Sequence, residues 1–428
     1  MDSPTPTPDQ KDASALNAAL VEELKRRGWI RTPRVEAAFR AVPRHLFVPG
    51  VPLDDVYRDQ PIPTKRSASG EFVSSSSQPA IMAIMLEQLG LAPGHRVLEI
   101  GAGTGYNAAL MAHIVGDTGQ VVTVDIDEDL VAGAREHLLA AGCDAVVRVV
   151  CGDGGFGHPD VALYDRIILT VGAWDIVPAW REQLKPDGRL VLPLSIEGSQ
   201  LCVAFEPRSD HLESVSVEDG GFMMLRGAFA GPGGLVQLGP EPGLSIRVND
   251  RDLVDAEAIY GLLTGPSRDR PTGVRVRSGE VFGSLSLWLA HRERGYCSLH
   301  AFGGMVDRGI IPDLFRFPGS PRSASTMGLL GDAAVCVLMR PPDQVPSTGQ
   351  ASAAGPFELF IRSFGPDDAL AHRLTEHIKA WDAAGRPSSK GLRIRAYPKA
   401  ADFLPSADEL VIEKRWTRLV LGRGATER

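Results

Sequence analysis

A chain of 428 residues with 43% hydrophobic side chains can bury more than one core, so two domains are the expectation. Its formal charge of -8 gives no overall basic field for a polyanion, which disfavours nucleic acid as a substrate. No uncharged apolar run nears the ~20 residues of a membrane-spanning helix, and the polar, Pro-rich start lacks the basic-then-apolar order of a signal peptide, so a cytoplasmic protein with no membrane partner is expected.

In chain order, residues 1–13 read as a disordered tail. Leu16, Leu20, Val21 and Leu24 then fall at helical spacing and stop at Gly28, and a second short helix is expected over Val35 to Val42, ended by Pro43. From Val97 the text alternates short apolar strands with helical stretches: 97–100, 121–125, 146–150, 166–171 and 189–193. Such alternation implies a doubly wound, mostly parallel sheet covered on both faces. It fades after about residue 210, where glycine and proline rise, and the domain boundary is placed there, giving domains 14–210 and 211–428. In the second, Leu285, Leu287 and Leu289 alternate as in a strand, Val335 to Met339 and Phe357 to Ile361 are strand-sized, and Pro341 to Pro356 reads as a loop. Leu370, Leu374, Ile378 and Trp381 predict a helix, and an α+β second domain results. The five cysteines are scattered and unpaired in sequence, which argues against a disulfide framework or a zinc site and for buried free thiols. No metal is expected, and His45, His291 and His300 lack ligand spacing. Trp288, Trp381 and Trp416 are expected in cores, a peptide-binding surface being the less favoured reading.

The strongest chemical signal is Val97 to Tyr106, an apolar strand running into a tight glycine turn (Glu99, Gly101, Gly103, Thr104, Gly105) and then a helix over Asn107 to Val115. The pattern is E-x-G-x-G-x-G, with Tyr106 where a dinucleotide fold places its third glycine, so a pyrophosphate cofactor is the lesser reading. Asp125, beside Ile126, ends the next strand at the spacing of a ribose-binding acid, and Gly152-Asp153-Gly154 puts a second carboxylate at the carboxyl end of the sheet, suited to an adenine amino group. Glycine turns also occur after strands without a ligand; the turn and both acids together favour a cofactor site.

The strings Val42-Pro43-Arg44-His45-Leu46-Phe47-Val48-Pro49, Tyr57 to Ile62, Ser77-Gln78-Pro79, the glycine turn, Gly152 to Gly154 and Leu184 to Pro193 resemble the protein-L-isoaspartate O-methyltransferase family over roughly residues 14–210. The resemblance implies a Rossmann-like class I fold and S-adenosylmethionine as cofactor, held by Glu99, Gly101, Gly103, Thr104, Gly105, Tyr106, Asp125, Ile126, Gly152, Asp153 and Gly154. It also implies that Ser77 contacts the substrate carboxylate, with Ser76, Gln78, Thr170 and Val171 beside it. Four serines in a row also read as a flexible loop, a reading kept for Ser74 and Ser75.

The chemistry that the resemblance implies is esterification of an aspartyl or isoaspartyl carboxylate in a peptide or protein, the ester then closing to a succinimide (aspartimide). The extension beyond residue 210 suggests peptide recognition or dimerisation. A dedicated tailoring enzyme for a ribosomal precursor peptide is the preferred expectation, and a general isoaspartyl repair methyltransferase with a regulatory or dimerising tail the alternative. A cofactor-binding protein without turnover and a methyltransferase for small molecules or RNA are disfavoured, the first by the intact acids and Ser77, the second by the acidic charge and the substrate segment.

Overall fold

A computed structural model describes residues 8–66, 72–197, 199–231, 235–248, 251–316, 322–341, 355–366, 368–406 and 409–423. The chain forms two compact units. The first comprises the chain up to Leu194 with Leu201–Ala230 and Leu392–Arg428, and the second Ser195–Gln200 with Gly231–Gly391.

Three helices open the first unit: α1 (Pro8–Arg26), α2 (Pro33–Ala41) and α3 (Leu53–Val56). A small antiparallel hairpin comes next, β1 (Ile62–Arg66) with β2 (Phe72–Ser76), setting Ile62 opposite Ser76. Helix α4 (Pro79–Leu89) then leads into the alternating part: β3 (Arg96–Ile100), α5 (Tyr106–Val115), β4 (Gln120–Asp125), α6 (Glu128–Ala140), β5 (Val147–Cys151), β6 (Tyr164–Leu169), α7 (Pro178–Glu182) and β7 (Leu184–Ile196). Val97, Leu98 and Ile100 of β3 are all buried, as a strand covered on both faces requires, and α5 is buried on nearly every side. Strands β5-β4-β3-β6-β7 are parallel neighbours, and the order reverses direction between β3 and β6. That reversal is the switch point outside which ligands of open α/β sheets bind.

The sheet does not stop at β7. Strands β8 (Ser199–Pro207) and β9 (Leu212–Asp219) extend it, β9 antiparallel to β8. In the second unit, β10 (Val236–Gln237), β11 (Leu244–Val248), β12 (Ser267–Val276), β13 (Tyr296–Phe302), β14 (Ser323–Leu330), β15 (Val335–Met339) and β16 (Phe357–Phe364) form an antiparallel sheet ordered β10-β11-β13-β14-β15-β16-β12. Ile259 and Leu263 of α8 (Ala256–Thr264) and Met305 of α10 (Gly304–Asp307) share a core with Leu299. On the opposite face, Leu285 and Leu289, the latter in α9 (Ser286–Arg292), and Leu374, Ile378 and Trp381 of α11 (Ala369–Ala383) pack with Tyr296 and Leu338. The last strands, β17 (Leu392–Pro398), β18 (Leu410–Glu413) and β19 (Thr417–Arg423), return to the first sheet, β17 pairing with β9.

Several expectations change. Helix α1 begins at Pro8, so of the expected tail 1–13 only residues 1–7 lie outside the described residues. A boundary at 210 cuts the first sheet before β9: βα alternation ends there because the added strands are antiparallel, while the sheet continues through 392–423. Leu285, Leu287 and Leu289 are helical, in a π turn over Glu280–Leu285 and in α9; a helix buried on several sides has no 3.6-residue signature to separate it from a strand. The loop expected over 341–356 falls mostly outside the described residues. Cys202, Cys297 and Cys336 are buried, whereas Cys151 is exposed at the end of β5. Trp381 is a core residue; Trp288 and Trp416 are only partly covered. Among the described residues no helix is long and apolar enough to cross a membrane.

Candidate active site

The turn after β3 passes so close to the end of β6 that a Cβ on Gly101 would fall 2.7 Å from Thr170 Oγ1, and its φ of +103° further favours glycine. Thr170 uses the contact, its hydroxyl donating to the Gly101 carbonyl at 2.6 Å. Gly105 caps the start of α5, and the carbonyl of Thr104 pairs with Nδ1 of His137 at 3.0 Å.

Glu99 and Tyr106, expected to face the cofactor, do not. Glu99 is fully buried beneath the turn, where its two oxygens accept from Asn107 Nδ2 (2.8 Å) and Thr123 Oγ1 (2.7 Å). Burial pushes its carboxyl up to about 7, against the lowering effect of those two donors. It braces the turn from below. Tyr106 points into the core, its ring edge-on to Phe39 at 6.4 Å and tilted against Phe47 at 5.4 Å, because the first residue of α5 faces α2.

The acids stand where the sequence places them. Asp125 ends β4 with Oδ2 accepting the Gly103 N–H at 2.9 Å and Oδ1 the Asp127 N–H at 3.2 Å; each oxygen keeps a lone pair for another donor. Ile126 beside it is exposed. Next door, Gly152 N–H donates to the Asp125 carbonyl at 2.8 Å, and the Gly154 carbonyl accepts from Trp180 Nε1 at 2.9 Å. Asp153 accepts from Gly155 N–H at 2.9 Å and from Ala228 N–H at 2.7 Å. The second contact belongs to the segment 222–230, which also bridges to Gly172 and whose Arg226 grips Asp127 through both nitrogens (3.2 and 2.6 Å). Lys65 on β1 reaches the same Asp127 at 3.1 Å, and the Arg226 and Lys65 cations hold the Asp127 carboxyl below its usual range. Neither cation stands out in the sequence, where 99 residues separate Arg226 from Asp127.

The serine run comes to the glycine turn. A Cβ on Gly103 would sit 3.7 Å from the Ser75 carbonyl, so hairpin β1–β2 abuts the cofactor loop. Ser76 is buried, within 3.5 Å of Arg44, which removes its side chain from a direct substrate role. Gln78 donates to Asp59 at 2.8 Å and so helps to fix the segment. Ser77 is half-buried, and its hydroxyl has no hydrogen-bond partner among the described residues. Val171 is half-buried beyond β6.

Behind this segment lies a fully buried arginine to which sequence reading gives no role beyond its place in the V-P-R string. Arg44 donates to the carbonyls of Val56 (2.8 Å), Arg58 (3.3 Å), Gln60 (3.2 Å) and Ser77 (3.0 Å). Asp59 anchors the other end, accepting from Ala80 N–H at 2.8 Å. One guanidinium therefore ties the segment 56–60 to the backbone at Ser77.

The donor set fits a nucleoside-bearing cofactor without phosphates. Asp125 and Asp153 offer acceptors to hydroxyl and amino groups, and the glycine turn brings backbone close beside them. Among the described residues no cluster of His, Cys, Asp and Glu is arranged to hold a metal.

A sequence model of the protein-L-isoaspartate (D-aspartate) O-methyltransferase family matches residues 15–226. The protein-L-isoaspartate O-methyltransferase of Methanopyrus kandleri is 45% identical over 186 residues, 44% of this chain and 80% of that one. That of Hyperthermus butylicus is 38% identical over 231 residues, covering 52% and 93%. A solved structure titled protein-L-isoaspartate O-methyltransferase aligns with 90% of this chain and 97% of its own at a TM-score of 0.49 and 24% identity. With most of the length of two such relatives matched above 30% identity, and with the turn, acids and serine segment in one site, the chain belongs to the protein-L-isoaspartate (D-aspartate) O-methyltransferase family and is an S-adenosylmethionine-dependent carboxyl O-methyltransferase.

Proposed function

We propose that this chain methylates isoaspartyl carboxylates in peptides and proteins generally, as a repair methyltransferase, with Ser77 orienting the carboxylate. The observation that carries the reading is the juxtaposition of the serine segment with the glycine turn, the Ser75 carbonyl lying 3.7 Å from where a Gly103 Cβ would be. The relatives named above as protein-L-isoaspartate O-methyltransferases support the general substrate class.

When bound, the cofactor supplies an electrophilic methyl on a sulfonium sulfur. The chain's own task is placement. A carboxylate with a reference pKa near ~4 is already ionised at neutral pH, so no general base is required. In-line attack needs the oxygen within roughly 3–3.5 Å of the methyl, and holding it there provides the rate gain. The unengaged Ser77 hydroxyl suits this role: it orients one carboxylate oxygen and leaves the other's lone pair free, which a bidentate arginine would not. Asp125 serves the ribose hydroxyls and Asp153 the adenine side, with Gly101, Gly103 and Gly154 allowing close backbone approach. The ester then loses methanol as the neighbouring backbone nitrogen bonds to the carbonyl carbon and gives up its proton, closing a succinimide that water reopens.

The narrower reading, a tailoring enzyme for one aspartate of a ribosomal precursor peptide, is favoured by the second compact unit, which lies beyond the matched residues 15–226 except for the short piece Ser195–Gln200. One assay separates the two. A synthetic isoaspartyl peptide unrelated to any precursor should gain one methyl and then lose methanol by mass spectrometry, while its aspartyl twin should not; an inert isoaspartyl peptide would overturn general repair.

A further inference from the structure

At the carboxyl edge of the first unit's sheet, the cofactor mouth has an aromatic wall on the β5 side. Strands β4 and β5 are parallel neighbours, with Asp125 beside Cys151. Past each of them stands a large apolar side chain left open to solvent, Ile126 at 37% and Phe156 at 58% exposure. Apolar side chains flanking two acids are the expected lining of a slot for a flat, partly apolar ligand.

Phe229 stands on the β5 side of that edge. Its ring lies edge-on to Phe156 with centroids 4.9 Å apart, and a Cβ on Gly155 would fall 2.0 Å from it, so the ring sits directly on the backbone after Asp153. The segment carrying Phe229 is tied at three points along the edge: Leu225 N–H to the Gly172 carbonyl at 2.8 Å, Arg226 to Asp127, and Ala228 N–H to Asp153. Behind Phe229 stands Trp416, centroids 5.4 Å apart. Trp416 is held by its own backbone N–H, which donates to Asp175 at 2.7 Å, and the Thr417 hydroxyl binds the same carboxylate. Both Phe229 and Trp416 lie beyond the matched residues 15–226.

We propose that Phe229, seated by Trp416, is the surface against which the cofactor's adenine stacks, so that the chain beyond the family-matched region sets affinity for the cofactor. The position sets the ring apart from the reacting carboxylate. Ser77 comes just after the hairpin that abuts Gly103, at the end of β3, whereas the wall stands beyond β5, two strands further along. Two strand spacings are roughly 10 Å. A purine between Asp125 and Asp153 lies beside the wall; a carboxylate at Ser77 does not. Trp416 is a positioning residue here, acting through Phe229.

The inference rests on the cofactor assignment, and binding measured by calorimetry keeps the two apart: if the intact chain takes up no S-adenosylhomocysteine, the assignment itself fails. If it does, Phe229→Ala should weaken S-adenosylhomocysteine about ten-fold, equivalent to ~1.4 kcal/mol. Trp416→Ala should weaken it several-fold and Trp416→Phe should restore it, because an aromatic ring suffices to seat Phe229. In the Phe229→Ala chain the KM for S-adenosylmethionine should rise together with the dissociation constant, while the KM for an isoaspartyl peptide, read at saturating cofactor, should rise by less than about two-fold. Unchanged S-adenosylhomocysteine affinity in Phe229→Ala, or a rise confined to peptide KM, overturns the proposal.

Discussion

The backbone N–H of Gly103 donates to the carboxylate of Asp125 at 2.9 Å, locking the glycine turn of one strand to the acidic end of the next. The bond uses one lone pair of Oδ2 and sets the orientation of the carboxylate before any ligand arrives. Asp125→Ala should therefore lower S-adenosylhomocysteine affinity by about 100-fold, as expected for two charge-assisted hydrogen bonds to ribose at ~1.5–3 kcal/mol each, partly offset by water. Calorimetry checks this, and a loss under about three-fold would remove Asp125 from the site.

Ser77 has the opposite signature. Ser77→Ala should cut kcat/KM for an isoaspartyl peptide by about 10–100-fold, the range of losing one well-placed donor in a site of this kind, while leaving S-adenosylhomocysteine affinity within about two-fold. Steady-state kinetics beside calorimetry would separate the roles, and equal damage to both would mean that Ser77 supports the fold and not the substrate.

Buried Glu99 makes stability depend on pH in a definite direction. Its carboxyl is raised from 4.5 to about 7 in the folded chain. Below pH ~4.5 it is protonated in both states and costs nothing electrostatically. Between there and about 7 the unfolded chain has released a proton that the folded chain retains, so stability falls as pH rises and then levels off. Glu99→Gln lacks this slope, and its unfolding free energy relative to the parent should improve by on the order of 3 kcal/mol from about pH 4.5 to about pH 7.5. Urea titrations at the two pH values give the difference directly; a flat difference would mean that Glu99 releases its proton at the same pH in the folded and the unfolded chain.

Arg44 carries no carboxylate partner in its hydrogen bonds and instead satisfies carbonyls from two chain segments. Arg44→Met removes the donors and leaves buried carbonyls unpaired, at ~1–3 kcal/mol each. A loss of about 3–5 kcal/mol in unfolding free energy is expected, and Arg44→Lys should recover little because a single ammonium lacks the planar fork. Full rescue by lysine would show that charge alone matters at this position.

Much of the site is legible in the sequence because it is local. Strand, glycine turn and helix lie within Val97 to Val115, and Asp125 comes at a spacing fixed by one βα unit. Side-chain directions are not legible in the same way: Glu99 and Tyr106 sit in the right string, yet one faces under the turn and the other into the core with Phe39 and Phe47. Partners far apart in the chain are also invisible. Nothing near Phe229 announces Trp416, nor anything near Asp127 its ion pair with Arg226, because such pairs exist only once the sheet has been assembled. The domain boundary slips for the same reason, since β9 and β17 are distant in the chain and neighbours in space.

The pairing of β17 with β9 also dictates an order of events during synthesis. A ribosome delivers residues at roughly 5–20 per second, and β9 emerges well before β17 exists. Throughout that interval its outer backbone amides and carbonyls lack their native neighbour, a template for any stray strand. Translation speed across the intervening stretch, and any chaperone that shields an open strand edge, therefore bear directly on how much of this enzyme a cell obtains in native form.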